Sequence, residues 1–137
     1  MSDPAEKISA AIRLCVRRVH DEPHWGRFIA RYAMLDTRIG QFWGRMPADE
    51  LRRGLIAGRF NIHRDQVASI TASAGGATFG AMTLVLDGHR TWRQAGSDSA
   101  EIILRGIGID RADVQRWNTA APDAPSPRET LMAEMMR

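Results

Sequence analysis

Apolar residues recur at helical spacing along most of this chain. Ile8, Ile12, Cys15 and Val19, with Ala11 and Val16 beside them, fall on one helical face, while Arg13, Arg17 and Arg18 fall outside it. Asp3 is placed to cap that helix, Pro4 suits its first position and Glu6 stands three residues after the cap. The pattern therefore predicts a helix from Pro4 to about His20. The run DEP at 21–23 ends it and opens another, because Pro23 is tolerated only in a first turn. Trp25, Phe28, Ile29, Tyr32 and Leu35 continue a helical stripe rich in aromatic rings. A further segment, DTRIGQFWGR, carries Phe42 and Trp43. Pro47 is expected to open a separate helix in which Leu51 and Leu55 share a face, with Gly58 as its stop.

After the connection NIHR, Asp65 is the expected cap of a segment that meets no breaker before Asp87 and Gly88. Its length, about 22 residues, is several times that of a typical strand and favours helix. DGHRTWRQAG reads as a loop, Asp98 with Glu101 as the capping pattern of SAEIILRGIGI, and Asp110 as the start of a last helix through Val114 and Trp117. PDAPSP at 122–127 reads as a linker, and Ser126 with Glu129 forms a capping pattern in the tail. No segment shows strand alternation. The expected fold class is all-α, with one domain over residues 1–120 and a Pro-containing linker and tail over 121–137.

The stretch SITASAGGATFGAMTLVL at 69–86 places Gly75, Gly76 and Gly80 among helix-compatible residues. A phosphate-cradling loop is one explanation, but it needs its glycines between a strand and a helix N-terminus. GGATFG has neither the GxGxxG nor the GxxxxGK[ST] spacing and follows no strand. On a helix, Ser69, Ala72, Ser73, Gly76 and Gly80 follow i, i+3 and i+4 steps and form a strip of small side chains. Interior glycines cost about 1 kcal/mol each relative to alanine, so close packing must compensate. Val67, Ile70, Ala74, Phe79, Met82 and Leu86 supply bulk on a neighbouring strip. Two such strips suit contact on two sides, with the helix's own protomer and with a twin subunit. A central helix in a monomeric core fits the same pattern.

Composition narrows the chemistry. A chain of 137 residues, 44% hydrophobic and 26% charged, supports one globular core. Its longest uncharged run is the glycine-bearing one, broken by small and hydroxylated residues, and no membrane span is expected. MSDPAEKI has no basic stretch leading into an apolar run, so no secretory signal is expected and the cytoplasm is the expected compartment. The formal charge of +3 resides almost wholly in arginine, with Lys7 the sole lysine. Acids interleave the arginines, as Asp49 and Glu50 do beside Arg52 and Arg53, so no run has the density of a nucleic-acid footprint. Cys15, the only cysteine, excludes an intrachain disulfide and a zinc site of several thiolates, and on an apolar face it reads as a small hydrophobe. His20 and His24 have the separation of a metal pair, yet Pro23 interrupts the helix that would bring them together and HDEPH is not HExxH. No metal or other cofactor is expected. No nucleophile, base and acid stand in a catalytic pattern, so enzymatic activity is not expected either.

The string LRRGLIAGRF at 51–60, preceded by DEPHWGRFIARYA and followed by the small-residue segment and AEIILRGIGIDRADVQRW, resembles the C-terminal ligand-binding and dimerisation domain of the TetR family of transcriptional regulators. The similarity covers residues 4 to 120 in order. It implies an all-α domain that homodimerises through a four-helix bundle made of the last two main helices of each subunit, and that holds an effector among the remaining helices. By position it assigns Ser69, Ser73, Gly76, Phe79, Gly80 and Ile103 to the dimer interface. Gly54 and Gly58 would match closely packed or turn-forming glycines, and Phe60 a buried anchor.

The same resemblance implies a cavity between the first three helices, lined by Trp25, Phe28, Tyr32, Phe42, Trp43 and Phe60, with Tyr32, Arg31 or His24 as polar groups. Such a lining suits a hydrophobic or aromatic small-molecule effector. Family members carry an N-terminal helix-turn-helix module, and MSDPAEKISAAIRL does not supply one, so DNA is expected as a partner only through a module outside this chain. The expected function is therefore the effector-binding, homodimerising part of a TetR-like repressor. The alternatives are an interaction protein that pairs with a full-length relative and a small all-α enzyme.

Overall fold

A computed structural model describes residues 3–32, 35, 37–119 and 135, with the side chains of 37 and 39–46 outside that description. Six α-helices follow in order among these residues: α1 (Pro4–Asp21), α2 (Pro23–Tyr32), α3 (Thr37–Ile56), α4 (Val67–Leu86), α5 (Trp92–Gly106) and α6 (Arg111–Thr119). No strand occurs among them, and the fold is all-α. The expected linker and tail at 121–137 lie outside the described residues apart from Met135.

The first helix begins as its sequence dictates: the Asp3 carboxylate accepts from the Ala5 N–H at 3.0 Å, with Pro4 at the first helical position. It is the central strut and packs against all five others. Helix α5 runs antiparallel to it, since Trp92 at the start of α5 lies against Arg17 and His20, whereas Gly96 further along meets Arg13. At Gly96 an added Cβ would stand 3.3 Å from the Arg13 Cα, so the two backbones approach closely.

Two apolar clusters are strung along α1. Ala5, Ile8 and Ile12 join Leu51, Phe60, Val67, Ala100, Leu104, Ile107, Ile109 and Val114 at one end. Val16 and Val19 join Ile29, Ala81, Met82 and Ala95 at the other. Leu51, Met82 and Leu104 are almost completely buried, and each such side chain contributes about 1.5–3 kcal/mol.

Several expected boundaries move. Pro47 lies inside a continuous α3 rather than opening a new helix, because α3 packs on both α1 and α4 and that tertiary contact outweighs the lost hydrogen bond. Asp65 is not the cap of α4: it sits within a 3-10 turn, Arg64–Gln66, whose start is closed by the His63 N–H donating to Gln66 Oε1 at 2.9 Å. The expected loop DGHRTWRQAG is loop only to Thr91. Thr91 and Gln94 form a reciprocal capping box, with both bonds at 3.2 Å, so α5 begins at Trp92 and Asp98 falls within it. The stops at Gly58 and Gly88 stand as expected, with φ of 69° and 75°.

The stripe on α2 also divides. Gly26 and Ile29 form its buried side and Trp25 packs beside them, whereas Phe28, Tyr32 and Leu35 face solvent.

Candidate functional site

Two regions carry the residues that the sequence singles out. The first is the outer side of α4. Val67, Ala74 and Met82 are buried, with Ile70, Phe79 and Leu86 packed partly against the two clusters, so the bulky strip turns inward as the periodicity requires. Ser69, Ala72, Ser73, Gly76 and Gly80 turn outward and are exposed. A Cβ added at Gly75, Gly76 or Gly80 would meet nothing within 4 Å. No described residue therefore offsets the helix-propensity cost of these glycines. Residues 64–86 are long and apolar enough to cross a membrane by length and composition, and only 22% of their most apolar window is buried, so the described residues leave a large uncharged surface uncovered.

Helix α5 packs beside α4, with the Ser99 hydroxyl donating to the Ala77 carbonyl at 3.5 Å. Ile103, expected on the outer face, is half-buried against the cluster around Leu104, and Phe79 likewise turns inward. The outward apolar side chains are instead Ile102, 68% exposed, and Leu84, 41% exposed. Sequence reasoning named neither; on α5 it is the packing of Ala100, Ile103 and Leu104 into the core that leaves Ile102 outside.

The second region is built on α2, which packs on α1 and α4. Trp25 is half-buried, with the Arg18 guanidinium 3.9 Å from its ring centre. Phe28 and Tyr32 are 52% and 42% exposed, their rings 5.1 Å apart on the outer side of α2. Phe60 is buried in the other cluster, with Leu51 and Leu104, and its ring fills the space beside Gly54. The structure does not bring these four rings together. Phe42 and Trp43 lie on α3 with their side chains outside the described residues. Among the polar candidates, Arg31 and His24 are exposed on α2. His20 is exposed too, and its ring stands 6.3 Å from that of Trp92.

Polar groups inside this bundle are few. The Glu50 side chain on α3 is 6% exposed; its Oε1 accepts from Arg53 Nη1 at 3.1 Å and lies 3.7 Å from Lys7 Nζ on α1. Its Oε2 is buried with no hydrogen-bond partner among the described residues, and the Ser9 hydroxyl, on α1, is in the same condition. Burial pushes the Cys15 thiol up to about 12, with Arg18 opposing the shift weakly. That thiol stays protonated and inert. At the base, Arg59 donates from Nε and Nη2 to the two Asp3 oxygens at 3.3 and 3.1 Å, with Asp113 3.9 Å away. The hydrogen bond to Asp3 raises the Arg59 pKa above its ordinary value, so the clamp joining the α3–α4 connection to the start of α1 keeps its charge.

A central helix packed against five others, with one uncharged helical face left bare by the described residues, defines an all-α domain. The chain belongs to the Tetracyclin repressor-like, C-terminal domain family, whose model matches residues 3–117. Domains of this family are the dimerising and ligand-binding part of their regulators. No curated protein and no solved structure matches the chain.

Proposed function

We propose that this chain is the effector-binding and homodimerisation domain of a TetR-like repressor, and that two copies pair through α4 and α5 in a four-helix bundle. The observation that carries the proposal is the bare glycine face. Gly76 and Gly80 lack side chains, no described residue takes advantage of that, and Leu84 on α4 and Ile102 on α5 stand exposed on the layer that these two helices form. A two-fold axis through this layer would set the same surface on itself, small strip against small strip, with Leu84 and Ile102 as the bulky margin. Ser69, Ser73, Gly76 and Gly80 then form the interface core, while Phe79 and Ile103 support it from behind.

The effector would lie among α1, α2 and α3, with Trp25 on the inside and Phe28 and Tyr32 on the rim. It would act by favouring one of two dimer geometries, through a difference in its affinity for them.

Disulfide trapping locates the interface. Single cysteines at Ser69, Ser73, Gly76 and Gly80, oxidised in solution, should give a linked pair on a non-reducing gel for at least one position. A cysteine at exposed Ile56, on α3, should give none. The reverse pattern would move the interface off α4.

A further inference from the structure

Helix α2 differs in charge from the helices around it. Pro23–Tyr32 includes no acidic residue. Elsewhere acids answer the arginines: Arg17 and Arg18 of α1 pair with Asp21 and Glu22, Arg52 of α3 with Asp49, and Arg90 with Asp98. Arg27 and Arg31 of α2 are exposed, and neither reaches a carboxylate among the described residues. An apolar row runs beside them. Phe28 and Tyr32 stand one helical turn apart, as Arg27 and Arg31 do, so the two rows lie next to each other along the outer side of the helix. Phe28 is 52% exposed, Tyr32 42% and Leu35, just past the helix, 78%. The two rings are 5.1 Å apart, and the Arg31 guanidinium stands 5.9 Å from the centre of the Tyr32 ring. Packing fixes this orientation. A Cβ added at Gly26 would stand 2.8 Å from Val19 of α1, and Ile29 joins the cluster around Met82, so α2 cannot roll its rings inward without giving up those contacts.

Apolar side chains grouped on a surface mark a docking site, and the unmatched cations beside them select an anionic partner. The same face of a second copy fails that requirement, because it would bring like charges together. A groove in another protein takes its anchors from one continuous helix. Here α2 ends at Tyr32 and Leu35 sits in the turn beyond, its N–H donating to the Tyr32 carbonyl at 3.0 Å, so the three apolar side chains do not share one helical register. A lipid surface imposes no register. Rings and aliphatic groups enter its acyl boundary, while arginines on flexible stems reach the phosphates. We propose that the outer side of α2 docks reversibly on an anionic lipid surface, with Phe28, Tyr32 and Leu35 below the headgroups and Arg27 and Arg31 among them. The inference does not depend on the dimer or effector roles given above, and its failure would leave both in place.

Co-sedimentation with vesicles tests it. One set is phosphatidylcholine alone, and the other carries about 30% phosphatidylglycerol to supply the negative surface potential. The unaltered protein should bind the anionic set about tenfold more tightly than the neutral one, and about 0.5 M salt should remove most of that difference by screening. Arg27→Glu combined with Arg31→Glu should lower binding to the anionic set about tenfold. Arg64→Glu combined with Arg93→Glu is the control. Those two arginines are exposed and likewise reach no carboxylate among the described residues, but they lie outside α2. The same change in net charge placed there should leave binding within about threefold, because screening confines the attraction to charges near the surface. Phe28→Ser combined with Tyr32→Ser should weaken binding while the helical circular dichroism stays unchanged, since both rings already face solvent. Equal binding to the two sets, binding to neither, or equal losses in the two arginine pairs overturns the assignment. Binding to poly-L-glutamate through Arg27 and Arg31, with no sedimentation on vesicles, also overturns it and makes the partner an acidic protein segment.

Discussion

The ring of Phe60 occupies the space that a side chain on Gly54 would need. Gly54 lies in the last turns of α3, and the chain turns back at Gly58 to lay Phe60 across it, which closes the core between α3, α5 and α6. The LRRGLIAGRF string is thus a packing device: a glycine, a left-handed turn and the ring that the two accommodate.

Gly54→Ala should destabilise the domain by about 1–3 kcal/mol through overpacking, and Phe60→Ala by about 3–5 kcal/mol through the cavity it leaves. The double variant should show strong coupling, because the alanine at 54 then meets no ring and regains helix propensity. Urea unfolding of all four proteins measures the cycle; additive losses would contradict the contact.

Alanine and leucine at position 76 should act in opposite directions. A single methyl meets no described residue of the protomer and should raise the stability of the dissociated chain by about 1 kcal/mol. Leucine at 76 or 80 should hold the helices of two subunits apart and shift the protein to monomer or aggregate. Unfolding followed at several protein concentrations separates protomer stability from dimer affinity.

The adjacent isoleucines of α5 make a paired test. Ile102→Asp, on the exposed side, should leave the helical circular dichroism intact and weaken self-association. Ile103→Asp, packed against the Leu104 cluster, should destabilise the fold by about 2–5 kcal/mol. Equal effects would mean that the helix presents a different face.

Cys15 gives a pH signature. Its folded pKa of about 12 lies above the ordinary 9.0, so between those values the native state binds more protons than the unfolded one. Stability is full below pH 9 and should fall as pH rises beyond it. Cys15→Ala should lose that component of the alkaline slope. At pH 8 a thiol reagent such as dithionitrobenzoate should label the native protein slowly and the urea-unfolded protein at once; rapid native labelling would contradict the burial.

Much of this architecture was legible from residues alone. The cap at Asp3, the restart at Pro23, the stops at Gly58 and Gly88 and the inward strip of α4 follow from local rules that tertiary packing does not override. Pro47 and Thr91 were not legible for opposite reasons. At Pro47 a strong local breaker is overcome by packing on α1 and α4, which no window of sequence displays. At Thr91 two capping patterns compete seven residues apart, and the hydrogen bonds of Gln94 select the earlier one. The orphaned oxygen of Glu50 was invisible because it depends on where Lys7 and Arg53 point, and spacing along the chain does not encode that.

Self-association is the property on which the assignment of α4 and α5 depends most directly, and light scattering at micromolar concentration reads it. The expected result is a mass twice the 15.3 kDa of the chain, falling to that of one chain, or giving way to aggregate, when Gly80 is replaced by leucine. A mass of 15.3 kDa for the unaltered protein would contradict the pairing.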